Sequence, residues 1–349
     1  MKKIIAAAFI SIALISCKKE TQTVTKVDPK TGKTITVEVP VNDSLKTAEE
    51  PAVNAAIRDS SGIFKQSFKL VKGETYPLTT MQKDVQTMTA PDGKSQSGSS
   101  ETTDQMTFTV NNFEKGIYDI TINLLGKRSA QSSNGKSIVI DTKTAEPKED
   151  QLKMMWKVNK ALVGNTLNLK MSETGKVTSI TGFDPIYTKV TASAGTLIKD
   201  AKDKAAFAKS FKESFNEKVL KDQFTKNLVL IPAKGVKIGE KWSQSENATP
   251  DGKLKLTTTY TLKNVDNGVA TITVSGGIPA KSDSKSQNGM TRSMTSELSQ
   301  NGTITLDQKT GWIKNQNIAV KTSQSETISD GKQKQTMKSV SNSTVVVNP

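Results

Sequence analysis

Few residues in this chain are suited to catalysis, because its 349 residues include no histidine. That absence removes the commonest general base, the Ser-His-Asp arrangement and the usual zinc ligand sets. Ser-x-x-Lys spacings occur, among other places, at Ser133 to Lys136 and at Ser282 to Lys285. Both fall in turn-rich segments without the helix that would aim the lysine at the serine. We therefore expect no nucleophile, no metal site and no cofactor.

A cluster of acidic residues offers a second kind of chemistry. Glu146, Glu149 and Asp150 lie beside Pro147, and they would supply either a cation site or paired acids for a carboxylate-only hydrolase or lyase. Such an enzyme needs two buried acids close together in a cleft, and the sequence alone does not establish this. A solvated loop is the simpler interpretation.

The single cysteine, Cys17, stands after a segment typical of export signals. Lys2 and Lys3 precede an apolar run from Ile4 to Ile15, and Ser16 follows it. A basic start, an apolar stretch too short to cross a bilayer and a small residue before the cut predict a signal peptide over residues 1–16. The alternatives are an ordinary secretory signal with an incidental cysteine and a short buried helix.

The four residues Leu14-Ile15-Ser16-Cys17 resemble the lipobox of bacterial lipoproteins. The resemblance implies cleavage before Cys17 and attachment of diacylglyceryl and acyl chains to it. Each buried CH₂ group contributes about 0.8 kcal/mol, so several chains hold a protein on a membrane. Lys18 stands where the best-known sorting system has an aspartate for inner-membrane retention, which favours the outer membrane of the cell envelope.

The remaining chain divides by composition into four segments. Residues 17–63 are rich in Thr, Lys, Glu and Pro and are predicted to form the lipidated cysteine and a flexible tether. Within it, Thr34 to Val39 alternates in polarity and predicts a brief strand. A first β repeat is expected at 64–182, a helical bridge at 183–227 and a second β repeat at 228–349.

Short matches in the same order support the duplication. Gly73-Glu74-Thr75-Tyr76 corresponds to Gly239-Glu240-Lys241-Trp242, and Val110 to Gly116 aligns without gaps with Leu262 to Gly268. Leu167-Asn168-Leu169 resembles Ile304-Thr305-Leu306 in the same way. The equivalent places of Glu74 and Glu240 indicate a turn requirement rather than an active site.

Polarity alternates with period two in both halves, as in Tyr118, Ile120 and Ile122, which predicts antiparallel strands with one covered face. Asn-Gly pairs at 134–135, 267–268, 288–289 and 301–302 predict tight hairpin turns. The predicted fold is mainly β: an antiparallel curved sheet or half-barrel built from two repeated meanders with a central helical insert.

The helical insert carries a stripe of aromatic residues. Phe207, Phe211 and Phe215 recur every fourth residue among lysines, which predicts an amphipathic helix laid on the apolar face of the sheet. A movable lid and a membrane-lying helix are the alternatives. Asp184 is predicted to cap the start of the insert, and Ser214 with Glu217 has capping-box spacing.

The lipobox, the polar tether, the duplicated Gly-Glu-x-aromatic units and the helical bridge together resemble an uncharacterised family of bacterial envelope lipoproteins. That resemblance covers roughly residue 64 onward and implies no activity, because the family has none assigned. More remotely, a curved sheet covered by helices resembles the half-barrels of periplasmic lipoprotein carriers, which hold acyl chains. This second resemblance concerns the fold alone.

Three functions stay open at this point. The first is noncatalytic binding of an apolar or amphiphilic ligand between sheet and helices. The candidate lining residues are Met154, Met155, Met171, Met290, Met294, Phe207, Phe211 and Phe215. Methionine suits an adaptable lining but also fills cores.

The second function is a structural module that contacts an envelope protein or a glycan, and the third is the carboxylate-only enzyme. Nucleic acid is not an expected partner. The net charge of +15 is spread thinly, without a block of five or six like charges. The expected partners are therefore the membrane, through the lipid anchor, and a lipid or other hydrophobic ligand.

Overall fold

The computed structural model describes residues 21–27, 34–40, 55–249, 252 and 254–349. One unit contains β1 (Thr21–Val27) and β2 (Thr34–Pro40), which pair as an antiparallel hairpin. The predicted strand at Thr34 is confirmed as β2, whereas β1 was not predicted. Cys17 and the predicted signal peptide lie outside the described residues.

The second unit is the body, which holds the other strands and four helices. It begins at Ala55, before the predicted boundary at residue 64, and Ile57 is fully buried in its core. The strands are β3 (Ile57–Ser60), β4 (Ile63–Gln66), β5 (Thr75–Thr89), β6 (Ser95–Glu114), β7 (Ile117–Ser133), β8 (Lys136–Asp141), β9 (Thr166–Ser172), β10 (Val177–Thr181), β11 (Lys241–Asn247), β12 (Lys255–Asp266), β13 (Val269–Gln287), β14 (Met290–Asp307), β15 (Ile313–Ser329) and β16 (Lys334–Val347). The helices are α1 (Asp150–Leu162), α2 (Phe183–Gly195), α3 (Ala201–Ser214) and α4 (Glu217–Leu228).

Twelve of these strands form a single open antiparallel sheet. Its order is β10-β9-β7-β6-β5-β16-β15-β14-β13-β12-β11, with β8 paired beside β7. The two halves of the chain are joined by the pairing of β5 with β16, from Thr80 opposite Val347 to Thr89 opposite Lys338. The predicted mainly β, antiparallel architecture is confirmed, and the two halves share one continuous sheet.

The two halves of the chain share one backbone hydrogen-bonding feature, and the duplication itself stays a prediction. Gly73 has a φ of 85° and its N–H donates to the Val110 carbonyl at 2.8 Å. Gly239 has a φ of 81° and its N–H donates to the Leu262 carbonyl at 2.7 Å. Because glycine adopts positive φ at little cost, it opens the first strand of each half in the same way.

Three of the four predicted Asn-Gly turns are confirmed. Asn134, Asn267 and Asn288 and the glycines after them all have positive φ at hairpin tips, as type I′ turns require. The turn predicted at Asn301-Gly302 is wrong, since both residues lie inside β14. A Cβ atom on Gly302 would stand 2.1 Å from the Asn317 carbonyl oxygen, so this glycine serves a close approach of two strands.

The helices cover one face of the sheet, which we call the inner face. Phe108 of β6 meets Phe224 of α4 with ring centroids 5.4 Å apart and Trp312 at 5.1 Å. Ile186 and Val190 of α2 join the same buried cluster. The core therefore fills the space between the helices and the sheet.

The helical content differs from the prediction in two ways. The helix α1 was not predicted; it packs on β7 and β8, and its Trp156 Nε1 donates to the Asp141 carbonyl at 3.0 Å. The insert consists of three helices. The helix α2 begins after Gly182, so Asp184 is not its N-cap. The N-cap of α4 is Asn216, whose side chain accepts a hydrogen bond from the Val219 N–H, in place of the predicted Ser214. None of the described helices is long and apolar enough to span a membrane.

Substitution of Gly302 tests the close approach inside β14. Gly302→Ala is expected to lower the free energy of unfolding by about 2 kcal/mol or more, because the new methyl group forces β14 and β15 apart. Gly98→Ala is the matched control: it is also a strand glycine without positive φ, and its Cβ would meet nothing closer than 3.3 Å. Urea unfolding followed by circular dichroism measures both. Equal losses would contradict the steric account.

Candidate functional site

The inner face continues beyond the helices toward the hairpin tips at 134–135, 288–289 and 330–333. In β14, Ile304 and Leu306 are buried beneath the helices, whereas Met294 and Met290 are 47% and 46% exposed. Met294 and Ile304 are separated by an even number of residues, and the register of β14 with β15 is regular between them. Their side chains therefore point to the same face. We call this uncovered part the open inner face.

Five large apolar side chains lie together on the open inner face and form what we call the methionine strip. Met294 stands opposite Glu326, which stands opposite Met337, and Ile328 is diagonal to both methionines. Each of the five is between 40% and 49% exposed. The strip consists of Met88, Met337, Ile328, Met294 and Met290.

The strip crosses β5, β16, β15 and β14. Neighbouring strands lie about 4.8 Å apart, so it extends about 14 Å across the sheet. Diagonal neighbours on one face of a sheet are within reach of long side chains. Exposed large apolar side chains that cluster on one face of a sheet are typical of a site that contacts another molecule.

An ion pair stands within the strip. The Nε of Arg292 bonds Oε1 of Glu326, and the side chain of Glu326 is 26% exposed. This hydrogen bond lowers the pKa of the Glu326 carboxyl and raises the pKa of the Arg292 guanidinium. The two charges compensate each other, so the strip carries no net charge from this pair.

Between the strip and the helices lies a polar concavity of about 620 Å³, which we call the polar groove. Its floor crosses six strands of the inner face. It is lined by Gln82, Asp84, Gln86, Gly98, Ser99, Ser100, Gln131, Ser132, Ser133, Lys136, Ile138, Thr322, Ser341 and Ser343. A second hollow, of about 590 Å³, lies along the exposed side of α3, and its lining comes from that helix and Asn216.

Asp84 is the one carboxylate in the lining of the polar groove. Gln82 Nε2 donates to its two oxygens at 2.8 and 2.9 Å, Ser100 Oγ donates at 3.4 Å, and Ser343 Oγ donates to Oδ1. Within the described part of the chain, no lysine or arginine forms an ion pair with Asp84. Neutral donors therefore hold this carboxylate in place.

A row of polar residues separates the groove from the core. Lys127 Nζ lies 2.5 Å from Asp104 Oδ1, and these side chains are 24% and 16% exposed. Thr142 is buried; its hydroxyl accepts from the Lys127 N–H at 3.0 Å, and its carbonyl accepts from Lys160 Nζ. The apolar core ends at this row, and the water-accessible face begins there.

The methionines that were predicted to line a ligand site lie in different parts of the structure. Met171 is fully buried in β9, Met155 is 46% exposed on α1, and Met154 is half-buried on the same helix. Met290 and Met294 lie in the methionine strip. Ligand contact by any of them stays a prediction.

Sequence reasoning missed Met88 and Met337. Period-two alternation in β5 and β16 was the available signal, but only the pairing of these two strands brings the residues together.

The three phenylalanines pack between helices. Phe211 stacks between Phe207 and Phe215, at centroid distances of 6.3 and 5.7 Å. Phe183 and Tyr187 of α2 meet this stack edge-on. The stack therefore occupies the interface of α2 with α3, whereas the sequence predicted a helix laid on the apolar face of the sheet; α3 packs on α2, which separates it from the strands.

The remaining catalytic candidates are placed as follows. Ser133 stands opposite Lys136 across the β7–β8 turn, and both line the groove. Ser282 and Lys285 are three residues apart on β13, where successive side chains alternate between faces, so they point to opposite faces.

The acidic cluster near Pro147 is paired with lysines. Glu146 lies 3.8 Å from Lys157 Nζ, and Asp150 lies 2.8 Å from Lys153 Nζ. The hydrogen bond from Lys153 lowers the pKa of the Asp150 carboxyl. A general acid needs a raised pKa, so this arrangement does not favour acid catalysis.

Comparison with known proteins gives one family match. The model of the Family of unknown function (DUF6263) matches residues 115–313, from the turn before β7 to the start of β15. No curated protein matches the chain.

Among solved structures, the chain is similar to lipovitellin in a study of lipid–protein interactions, with 10% identity and a TM-score of 0.35. That match covers 80% of this chain and 26% of lipovitellin, so the chain spans about a quarter of that protein. OmpT of Vibrio cholerae gives 7% identity, 78% and 99% coverage and a TM-score of 0.16. OpdQ of Pseudomonas aeruginosa has 8% sequence identity and a TM-score of 0.14, and the match covers 76% of this chain and 69% of OpdQ. At scores this low, none of these likenesses carries an argument.

The phenylalanine stack yields a stability prediction. Phe211→Ala is expected to lower the free energy of unfolding by about 2 kcal/mol, because it removes the central ring of the α2–α3 interface. Val219→Ala on α4, where the side chain is 39% exposed, is expected to change it by about 0.5 kcal/mol or less. Thermal and urea unfolding measure both variants. An unchanged stability for Phe211→Ala would show that this ring is free to contact a ligand.

Proposed function

The chain belongs to the Family of unknown function (DUF6263), and we propose that its body is a noncatalytic binding protein for an amphiphilic ligand, held on the open inner face. The observation that carries the proposal is the methionine strip, which continues the covered face of the sheet into solvent. Methionine side chains are flexible and polarizable, and they suit surfaces that accept apolar groups of varied shape. An acyl chain laid on the strip gains about 0.8 kcal/mol for each CH₂ group it buries.

The proposal moves the ligand away from the place that the sequence suggested. A position between sheet and helices would require space, but the Phe108 ring fills that layer, with its centroid 5.4 Å from that of the Phe224 ring and 5.1 Å from that of the Trp312 ring. Closely packed interiors do not open without cost. The open inner face is already accessible, so binding there needs no displacement of the core.

A lipid anchor and an envelope location form the second part of the proposal. The lipobox-like residues before Cys17 support acylation of its thiol, and the missing aspartate after it supports the outer membrane. A tethered body would hold its binding face near the membrane surface. Noncatalytic action is supported by the histidine-free sequence and by the lysine partners of the acidic cluster.

One observation favours a second candidate, an interaction module for an envelope protein or glycan. On the opposite face of the sheet, hydroxyl groups pair across strands: Ser282 with Thr295 at 2.8 Å and Ser284 with Ser293 at 2.9 Å. Such a face presents hydrogen-bonding groups to a polar partner. It would act independently of the methionine strip.

Introduction of negative charge into the strip tests ligand binding. In the full-length chain carrying Cys17→Ser, the double substitution Met294→Glu/Met337→Glu is expected to weaken binding of the neutral fluorescent amphiphile N-dodecyl dansylamide at least tenfold. The reason is that two carboxylates would have to be desolvated beneath the acyl chain. Fluorescence titration measures the affinity.

The matched control is Met155→Glu, because Met155 on α1 is as exposed as Met294 but lies off the sheet. It is expected to leave the affinity unchanged. Equal affinity in the double variant and its parent would exclude the strip as the binding surface.

Fractionation tests the anchor. The natural chain is expected to sediment with outer membranes, and Cys17→Ala is expected to leave them, because only the thiol accepts the diacylglyceryl group. Ser16→Ala keeps a small residue before the cut and should behave like the natural chain. Intact-mass spectrometry of the membrane fraction reports the acyl chains. An unmodified amino terminus there would refute the anchor.

A further inference from the structure

We infer that the polar groove binds the head group of the same amphiphile, and that this head is neutral and rich in hydroxyl groups, as in a glycolipid. The inference rests on the proposed function, because it assigns the head of a molecule whose chain lies on the methionine strip. It adds a chemical class of ligand and a recognition residue, Asp84.

The groove and the strip adjoin on one face. Met88 follows Gln86 by two residues on β5, so both side chains point to the inner face. At about 3.3 Å for each residue, Asp84 and Met88 stand about 13 Å apart along the strand. A single molecule with a polar head and an acyl chain spans that distance.

The lining of the groove matches a polyol. Serine hydroxyls and glutamine amides each offer both a donor and an acceptor. Ser341 and Gln86 stand opposite each other on β16 and β5, and Gln131 lies two strands further on β7. Gln86 Nε2 donates to Ser339 Oγ at 3.1 Å, so its amide oxygen is the group that faces a ligand as an acceptor. Together these neutral side chains supply both donors and acceptors, which sugar hydroxyls can satisfy.

Asp84 determines which head groups the polar groove accepts. Its carboxylate is half-buried and oriented by Gln82, Ser100 and Ser343. The Ser100 hydroxyl approaches Oδ2 at only 3.4 Å, so a ligand hydroxyl can replace it as the donor. A charged acceptor makes stronger hydrogen bonds to hydroxyl donors than a neutral acceptor does. The same charge repels a sulfate, phosphate or carboxylate head.

The cation in the lining stands far from this carboxylate. Lys136 lies on β8, three strands away from β5, which places the two backbones about 14 Å apart. An anionic head at Asp84 would therefore gain little from Lys136. A quaternary ammonium head would be attracted by Asp84, but it has no hydrogen to donate to the serine and glutamine side chains around it.

Four detergents with the same C12 chain test the head group. The probes are dodecyl maltoside, dodecylphosphocholine, dodecyltrimethylammonium and dodecyl sulfate, each below its critical micelle concentration. Isothermal titration calorimetry of the full-length chain carrying Cys17→Ser measures the affinities. Dodecyl maltoside is expected to bind at least tenfold more tightly than dodecyl sulfate.

Variants of the groove identify the recognising residue. Asp84→Asn is expected to weaken the binding of dodecyl maltoside at least tenfold, while dodecyl sulfate binds as tightly as before or more tightly. Gln131→Ala, at an exposed position that tolerates substitution, is expected to weaken dodecyl maltoside alone. Asp119→Asn on β7, whose side chain points to the opposite face, is the matched control and should change neither affinity.

The outcomes separate this inference from the proposal beneath it. Equal binding of all four probes, tightest binding of dodecyl sulfate or dodecylphosphocholine, or an Asp84→Asn variant that retains the preference would each overturn the head-group assignment while amphiphile binding stands. Tightest binding of dodecyltrimethylammonium, lost in Asp84→Asn, would replace it with a cationic head. Failure of every probe to bind would overturn both proposals.

Discussion

The pairing of β5 with β16 is the constraint on which the rest of the structure depends. It joins the two halves of the chain into one sheet, through ten successive residue pairs from Thr80 and Val347 to Thr89 and Lys338. The same register places Met88 beside the strand of Met337, and it brings Ser343 into hydrogen-bonding contact with Asp84. Without this pairing, the strip and the groove would each be divided between two separate sheets.

The second constraint is the difference in length between strands and helices. The strand β6 has 20 residues and extends about 66 Å, whereas α2 has 13 residues and extends about 20 Å. Helices of this size cover only part of the inner face, and the strands continue beyond them. The polar row of Asp104 and Lys127 marks the boundary. The open inner face therefore follows from the difference in length between strands and helices. Its exposed methionine side chains distinguish it from a solvated sheet face that carries only polar residues.

Local signals predicted the elements where a single segment decides the structure. Asn134, Asn267 and Asn288 each turn a hairpin because the Asn-Gly pair itself adopts positive φ. Asn301-Gly302 carries the same signal but lies within β14, where the neighbouring strand excludes a side chain at Gly302. The helix α1 was not predicted because the sequence around it has the pattern of strands and loops. Its contacts with β7 and β8 come from distant parts of the chain.

The sequence by itself determined the β class, three of the Asn-Gly hairpins, the aromatic stripe of the insert and the absence of histidine chemistry, since each follows from composition or from the order of neighbouring residues. Only the tertiary structure decided that the halves share one sheet and that five side chains from four strands form a single strip. The physical reason is that alternation assigns a residue to one of two faces of its own strand, whereas the identity and register of the neighbouring strand depend on contacts between distant parts of the chain.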